Sequence, residues 1–532
     1  MRLKNQILLA TIFFFLMIKT LFAQQIQWQQ TIGGDSTDYF SVVHQTFDGG
    51  FIIGGSSLSD SSFDKTTNTK GNMDYWIVKI NSSGIIEWQK DIGGSDDDWL
   101  NDIHQTADSG YVAVGFSWSG ISGDKTDSSR GGSDYWIVKL DAEGNIIWQK
   151  TIGGNYPDEL YSFQQTLDGG YILGGSSMSP ISGDKTDSCK GSFDYWLIKL
   201  NSLGTIEWQK TIGGNQNDVL TGVQQTADSG YIIGGRSYSN ISGDKTENCY
   251  GYADYWVVKT DSLGNIMWQK TLGGNNTDDL LSIKETDMGE YILAGVSSSG
   301  ISGNKTEFNR GNGDYWIIKL DNIGNIQWQK VYGGTLDDAA YSIVQTFDKG
   351  FFIGGVSLSD SSFEKSESCR GVRDYWVIKI DSIGTIQWQK TIGGMGWDEC
   401  YSVDTTNDDG FILGGLSASG IGFEKTEPCL GGVDYWIVKL NAPVGIDENN
   451  GVRQLNFYPM PIATMSTLSF KNEEHQKVKL SIYGALGNLI EIKETLSSSF
   501  QIDKGRKLPG IYFYSLLFNE TQRMEMGKFV IE

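Results

Sequence analysis

The triplet Asp-Tyr-Trp occurs seven times in this chain of 532 residues, always at a spacing of 60 residues. Its tryptophans are Trp76, Trp136, Trp196, Trp256, Trp316, Trp376 and Trp436. A second series with the same spacing consists of Trp28, Trp88, Trp148, Trp208, Trp268, Trp328 and Trp388. No insertion or deletion interrupts the period, so each repeat is one structural unit in an array of equivalent units.

Each repeat carries four β-strand signals, which the second repeat illustrates. They cover residues 98–106, 111–115, 134–140 and 146–152, with short glycine-containing turns at 108–110 and 141–144. The third strand is apolar on both faces apart from Lys139, as expected of a strand packed between neighbouring sheets. Seven such sheets can bury their faces by stacking radially, which predicts an all-β, seven-bladed β-propeller.

The two ends of the array predict how the ring closes. The chain enters the pattern with an unpaired fourth strand, Ile26 to Ile32, and leaves it after a third strand that ends at Leu440. Pairing these two strands would complete four-stranded blades and remove an exposed edge. We therefore assign residues 24–445 to the propeller. The segment Gly153 to Leu200 resembles the propeller repeats of bacterial surface proteins, a family defined by its fold and not by one activity.

The composition changes from Asn456 onward. The segments Asn-Phe-Tyr-Pro-Met-Pro (456–461), Ile-Tyr-Gly-Ala-Leu-Gly-Asn (482–488), Leu-Pro-Gly-Ile-Tyr-Phe-Tyr (508–514) and Gly-Lys-Phe-Val-Ile-Glu (527–532) follow one another. Residues 456–532 thereby resemble the C-terminal sorting domain (type A) of the type IX secretion system, a small β-sandwich of Gram-negative bacteria. The resemblance implies export through the type IX secretion machinery, with residues 446–455 as a linker. Met460 and Gly484 depart from the usual motif. Independently, alternation predicts strands at 477–483 and 510–516.

The N-terminus and the charge balance agree with export. Residues 1–23 begin with two basic residues, Arg2 and Lys4, continue with an apolar run and end in a small residue, which predicts a signal peptide. No later stretch is apolar and long enough for an integral membrane segment. The formal net charge of −23 makes nucleic-acid binding improbable. We expect a secreted or outer-surface protein of a Gram-negative bacterium.

Histidine is scarce, which limits the chemistry available to the ring. The three histidines are His44, His104 and His475; the first two share one phase of the repeat, and the third lies in the sorting domain. We therefore expect neither a three-histidine metal site nor a Ser-His-Asp triad in the propeller, and no catalytic residue is assigned.

An aspartate begins the innermost strand of every repeat. The seven residues are Asp38, Asp98, Asp158, Asp218, Asp278, Asp338 and Asp398. They could surround the channel mouth and bind a cation such as Ca²⁺, the one cofactor that the sequence suggests. The favoured alternative is structural, with each carboxylate accepting hydrogen bonds from its own tight turn.

Lysine and cysteine also recur in the long loops. We expect Lys65, Lys125, Lys185, Lys245, Lys305, Lys365 and Lys425 to pair with carboxylates inside those loops. Four cysteines share one phase, as two pairs in adjacent blades: Cys189 with Cys249, and Cys369 with Cys429. Export permits two disulfides between them, provided that the Cα atoms approach within about 5.5 Å. Cys400 remains unpaired in that scheme.

Three tryptophans fall outside both series and predict a binding face. They are Trp99, Trp118 and Trp397, and Tyr238 shares the phase of Trp118. Strand parity places the connectors and the long loops on one face, where exposed aromatic rings suit sugars or a protein partner. Packing under the loops is the alternative. The sequence thus favours an exported binding protein for an extracellular glycan, protein or surface component. The alternative is a glycan hydrolase or lyase that uses paired carboxylates.

Overall fold

The computed structural model describes residues 25–442, 456–458, 462, 464–470, 472, 477–483, 489–505, 507, 509–518 and 523–531. The secondary-structure elements in these ranges are all β-strands. The chain divides into two compact units, 1–443 and 444–532. The predicted signal peptide, the linker 446–455, Met460, His475 and Gly484 lie outside the described residues. No helix in the described ranges has the length and apolar character that a membrane span requires.

The first unit contains seven four-stranded antiparallel sheets, here called blades. The innermost strands are Asp38–Gln45, Asp98–Gln105, Asp158–Gln165, Asp218–Gln225, Asp278–Glu285, Asp338–Gln345 and Asp398–Thr405. The second strands are Phe51–Ser57, Tyr111–Ser117, Tyr171–Ser177, Tyr231–Ser237, Tyr291–Ser297, Phe351–Ser357 and Phe411–Ser417. The third strands are Asp74–Ile80, Asp134–Leu140, Asp194–Leu200, Asp254–Thr260, Asp314–Leu320, Asp374–Ile380 and Asp434–Leu440. The outer strands are Ile86–Ile92, Ile146–Ile152, Ile206–Ile212, Ile266–Leu272, Ile326–Tyr332 and Ile386–Ile392.

The N-terminal strand completes the last blade, as predicted. Ile26–Ile32 pairs antiparallel with Asp434–Leu440, from Ile26 opposite Leu440 to Ile32 opposite Tyr435. The innermost strand of the first blade also contacts the last blade, so the sheets form a closed ring. This arrangement is that of a β-propeller, with the repeat period equal to one blade.

The core lies between the blades and is built by the Asp-Tyr-Trp triplet. Tyr75 and Trp136, at equivalent places on neighbouring third strands, are both fully buried and their rings lie 4.8 Å apart. The Tyr75 hydroxyl donates to the Trp136 carbonyl at 3.2 Å, which satisfies its polar end. The second tryptophan series joins blades further out; Trp88 contacts Tyr111 of the next blade at 5.6 Å. Each repeat therefore buries its apolar faces only against its neighbours.

The two ends of each blade differ in the connections they carry. The Trp118 amide, at the start of a long loop, donates to Asp97 in the connector between blades, and Asp98 N–H donates to Met73 of the preceding long loop. Connectors and long loops thus share one face of the ring, the loop face. The short turns meet on the other face, the turn face, where Lys139 forms an ion pair of 3.0 Å with Asp108. This distribution confirms the argument from strand parity.

The second unit contains two small sheets. One consists of Asn456–Tyr458, Met465–Ser469 and Ser499–Asp503; the other of Leu489–Thr495, Val478–Tyr483, Gly510–Phe518 and Arg523–Ile531. Leu468 and Ile502 from the first sheet share a buried cluster with Leu480 and Leu516 from the second. The predicted strands at 477–483 and 510–516 are confirmed, and the two packed sheets form a small sandwich.

Candidate functional site

A cavity of about 450 Å³ lies in the central channel of the ring and is lined by innermost strands. Each of these strands has a β-bulge after its third residue, between Phe40 and Val42 in the first blade. Because a bulge re-aims the side chains around it, Ser41, Val42 and His44 all line the cavity. The fourth, fifth and seventh residues of the innermost strands are therefore the channel positions. The second residue shares their face through the alternation of the strand.

The repeats diverge at these channel positions, although their outer strands are nearly identical. The seventh residues are His44, His104, Gln164, Gln224, Lys284, Val344 and Asp404. The fifth residues are small in most blades, which leaves room for the cavity, but one of them is Asp102. The channel thus breaks the seven-fold repetition, as a specific site must.

Two histidines and two carboxylates meet at the turn-face end of the cavity. The rings of His44 and His104 stack with centroids 3.9 Å apart. Oδ1 of Asp102 lies 3.3 Å from Nε2 of His104 and 3.9 Å from Nε2 of His44. On its other side His44 contacts Asp404, with 3.1 Å between Nδ1 and Oδ2. We call His44, Asp102 and His104 the His–Asp cluster.

Burial and the neighbouring opposite charges shift the pKa values of the residues in this cluster in opposite directions. Burial, together with the neighbouring His104, lowers the pKa of His44 in spite of the two adjacent carboxylates. Burial opposes ionisation of Asp102, but His104, His44 and Lys284 outweigh it, so that the pKa of Asp102 is lowered. Burial thus disfavours the charged form of His44, whereas the neighbouring basic groups favour the ionised form of Asp102.

The sequence reasoning missed this cluster, which lies in a cavity formed by the innermost strands and not by the connecting loops or turns. A signal was available: two histidines in the same phase of adjacent repeats must lie side by side on neighbouring strands. Asp102 is two residues from His104 and so shares its face.

The second residues of the innermost strands form the other end of the channel, which we call the loop mouth. They are Tyr39, Trp99, Glu159, Val219, Asp279, Ala339 and Glu399. Tyr39 and Trp99 contact each other with ring centroids 5.3 Å apart. One arc of the mouth is therefore aromatic. Glu399 and Glu159 flank it in the two adjacent blades, and Asp279 lies across the channel.

The carboxylates of the loop mouth are individually held in position. Glu399 accepts a hydrogen bond from the Tyr401 hydroxyl and forms a 2.8 Å ion pair with Arg373. Asp279 lies 3.7 Å from Arg236. Burial raises the pKa of Asp279, although Arg236 opposes the shift.

The four predicted ligand-binding aromatics all belong to the loop face but differ in environment. Trp99 is half-buried in the loop mouth, whereas Trp118 is 40% exposed and packs edge-on against Phe116 at 5.2 Å. Trp397 lies under the guanidinium of Arg373, 4.5 Å from its ring, and Tyr238 is half-buried. Trp118 therefore offers the largest free surface of the three tryptophans, and a binding role for all four stays a prediction.

The seven recurring aspartates are fully buried and none of them lines the cavity. Oδ2 of Asp158 accepts the amide of Gly154 at 2.7 Å and the hydroxyl of Ser179 at 3.0 Å. The same pattern repeats in the other blades, for example with Asp98 and Gly94 at 2.6 Å. This placement favours the structural alternative over a cation site at the channel mouth.

The recurring lysines do not pair as expected. Lys65 forms an ion pair with Asp91, which lies on an outer strand and not in a long loop. The others donate to hydroxyl groups; Lys125, for example, donates to Thr151 at 2.6 Å. All seven ammonium groups lie over the buried tryptophan of their own blade, at 4.5 Å in the case of Lys185 and Trp196. The lysines pack the loops against the blades.

The four cysteines in phase are free thiols, as is Cys400. Each thiol points at the carbonyl that ends the second strand of its own blade. The distance from sulfur to this oxygen is 2.8 Å for Cys189, 3.0 Å for Cys249, 3.0 Å for Cys369 and 2.8 Å for Cys429. The two predicted disulfides are therefore not formed in this structure.

Comparison with known proteins identifies the second unit. Residues 456–532 match the family model described as the secretion system C-terminal sorting domain. The chain ends in a sorting domain of the type IX secretion system. The protein is accordingly secreted or located on the outer surface of a Gram-negative bacterium, as predicted. The sorting domain implies an interaction with the type IX secretion machinery.

The propeller has more distant relatives. The regulatory protein FlaEY of Caulobacter vibrioides is 22% identical over 359 residues, which are 61% of this chain and 37% of that protein. PorZ, a surface component of the type IX secretion system of Porphyromonas gingivalis, matches with a TM-score of 0.29 and 8% identity over 95% of this chain and 75% of PorZ. A Synechocystis apocarotenoid oxygenase matches with a TM-score of 0.35 and 8% identity over 68% of this chain and 73% of its own. At these identities and TM-scores, none of the three proteins assigns a function to this chain.

Proposed function

We propose that this protein is an exported binding protein that holds a glycan at its loop mouth. Residues 24–445 form the ligand-binding propeller in this proposal, and residues 446–455 link it to the sorting domain. The observation that carries the proposal is the asymmetry of the loop mouth, where aromatic rings and fixed carboxylates replace the seven-fold repetition. If these residues had only a structural role, we would expect them to follow the repeat as the residues of the outer strands do.

The chemistry of the loop mouth suits a polyhydroxylated ligand. Tyr39 and Trp99 provide a joined aromatic surface, and Trp118 provides a second, exposed one. The apolar face of a sugar ring packs on such surfaces, while its hydroxyls need acceptors and donors at the edge. Arg373 supplies partly exposed donors there, and the buried Glu399 holds its guanidinium in place through their ion pair.

A glycan array probed with the exported full-length protein tests the proposal. Trp118→Ala should weaken binding of any positive glycan at least tenfold, since it removes an exposed platform without opening the core. Phe347→Ala is the matched control, because Phe347 is an aromatic residue 73% exposed on the turn face. Equal binding by Trp118→Ala, Trp99→Ala and the parent protein would contradict the proposal.

A glycan hydrolase or lyase is the second candidate, and one observation favours it. Glu159, Asp279 and Glu399 share the loop mouth, and the raised pKa of Asp279 is what a general acid requires. Incubating a positive glycan with the protein and measuring chain length separates the two functions. Intact glycan supports binding alone; shortened glycan, with activity lost in Asp279→Asn, supports the enzyme.

A further inference from the structure

We propose that His44, Asp102 and His104 bind one divalent first-row transition-metal ion at the turn-face end of the channel. One donor atom from each residue lies within 4.8 Å of the other two. In a tetrahedral site with metal–ligand bonds of about 2.0–2.1 Å, donor atoms are roughly 3.4 Å apart. The 3.3 Å between Asp102 and His104 already meets this spacing. The 3.9 Å between Asp102 and His44 must contract, and the stacked rings must tilt so that both nitrogen lone pairs point at one ion.

The surroundings of the cluster orient its donors. Asp404 contacts Nδ1 of His44 and is itself fixed by the amide of Thr405 at 2.8 Å, which leaves Nε2 of His44 facing Asp102. The second oxygen of Asp102 accepts the amide of Phe163 at 3.4 Å, which leaves Oδ1 facing both histidines. A carboxylate on the far nitrogen of a ligating histidine is the usual outer-sphere arrangement of metal sites.

The donor set and the cavity specify the class of ion. Two imidazoles and one carboxylate suit Zn²⁺, Cu²⁺ or Ni²⁺ better than Ca²⁺ or Mg²⁺, which prefer oxygen ligands. All three residues line the cavity, so a remaining coordination position would face its interior. Asp102 and Asp404 against Lys284 leave the cavity walls with a net negative charge when the histidines are neutral. The site lies at the opposite end of the channel from the loop mouth, so it is independent of the proposed glycan binding.

Calorimetric titration of untagged, chelator-treated full-length protein with Zn²⁺ tests the inference. We expect one site, with affinity at least a hundredfold lower in His104→Gln. Glutamine occupies this phase in the third and fourth blades, so the variant keeps a side chain that the fold accepts. Gln164→Ala, in the same phase of the next blade, and His475→Ala, outside the propeller, are the matched controls and should bind normally.

Cobalt provides a second readout that distinguishes coordination from loose surface binding. Co²⁺ bound by two imidazoles and a carboxylate should give visible absorption bands that disappear in Asp102→Asn and His44→Gln. Thermal melts of each variant check that the ring is still folded. Absence of a stoichiometric Zn²⁺ site in the parent, or equal Zn²⁺ affinity and Co²⁺ spectra in parent and His104→Gln, would overturn the proposal. Neither result decides the proposed glycan binding, which concerns the opposite end of the channel.

Discussion

The phenol of Tyr435, in the last blade, donates a hydrogen bond of 3.3 Å to the backbone carbonyl of Trp76 in the first. The same bond joins every other pair of neighbouring blades, at distances between 2.9 and 3.2 Å. The contact between the ends of the array is thus equivalent to the six internal ones. The first and last blades therefore close the ring through the same contact that joins all other neighbouring blades.

This equivalence can be measured. Tyr435→Phe removes the hydrogen bond at the closing interface, and Tyr195→Phe removes its counterpart in the middle of the array, where the donor–acceptor distance is 3.1 Å. Both changes should lower the free energy of unfolding equally, by about 1 kcal/mol, as for a typical buried hydrogen bond. Denaturant unfolding of the two variants tests this. No effect of Tyr435→Phe beside a clear effect of Tyr195→Phe would mean that the ring is open.

The closing strand itself should be essential. Removing residues 25–32 exposes the edge of the third strand of the last blade. It also removes Gln29, whose side-chain oxygen accepts a hydrogen bond of 3.0 Å from the Trp436 indole. We expect a large fall in melting temperature and aggregation through the free edge. Differential scanning calorimetry with light scattering measures both. A deletion variant as stable as the parent protein would refute the role of this strand.

The buried aspartates should be structural and indifferent to calcium. Asp158→Ala leaves the Gly154 amide without its acceptor in a fully buried place and leaves the Ser179 hydroxyl with only the Tyr156 carbonyl, which should cost about 2–4 kcal/mol. Asp141→Ala, in an exposed turn, is the control and should cost less. Millimolar Ca²⁺ should leave the melting temperature of the parent unchanged. A calcium-dependent rise in melting temperature that Asp158→Ala abolishes would instead support a cation site formed by these aspartates.

Stability should fall as the pH rises from 5 to 8. Burial raises the pKa of the third-strand aspartates, for Asp74 to about 8, for Asp134 to about 7 and for Asp254 to about 7. Their pKa values in the unfolded chain are near 4, so in this window the folded state binds more protons and loses stability as they leave. We expect the melting temperature to be higher at pH 5 than at pH 8 by roughly 3 °C or more.

His44 opposes this trend, because burial lowers its pKa and it therefore favours the folded state as the pH rises, but it is one group against three raised carboxyl groups. Two further residues do not change the trend. Asp48, with a pKa lowered to about 2 by its hydrogen bonds and Lys79 in spite of partial burial, stabilises the fold above pH 4 and changes nothing between 5 and 8. Burial lowers the pKa of Lys125 to about 8, below its unfolded value, so this lysine favours the folded state as the pH rises, and the effect begins only near pH 8. Asp134→Asn should flatten the pH profile. A melting temperature that increases from pH 5 to pH 8 would contradict the assignment.

Passage across the outer membrane should depend on the second unit. Removing residues 450–532 deletes the sorting domain and leaves the propeller unit intact. In the native host we expect the truncated protein to be folded but retained in the periplasm. Cell fractionation followed by limited proteolysis tests location and folding together. Equally efficient appearance in the medium would assign the domain another role.

The sequence predicted the repeating parts of the structure better than the varying ones. The third strand Asp134–Leu140 and the outer strand Ile146–Ile152 have the predicted bounds. The turn at 141–144 separates them, and the apolar pattern of each strand indicates its length. The second strand extends to Ser117, past the predicted end at Gly115, because Phe116 and Ser117 still pair with the third strand. Such pairing is a tertiary effect that a local pattern does not reveal.

The candidate sites depend on which side chains face the channel, and there the sequence was less informative. The bulge that turns both Ser41 and Val42 into the cavity has no signature in the alternation of the strand. Counting by alternation from Trp99 without the bulge would assign both Asp102 and His104 to the buried face, so the cluster would not be placed in the channel. The loop mouth was more accessible to prediction, because Trp99 stands out from its repeat by residue type.

Docking of the first strand onto the last blade also bears on the order in which the ring can fold. Ile26 and Leu440 are neighbours in the sheet but roughly 400 residues apart along the chain, so their pairing closes the longest loop in the propeller. Internal blades need only sequence-local contacts and can form while synthesis continues. The strand that leaves the ribosome first is consequently the last to find its partner.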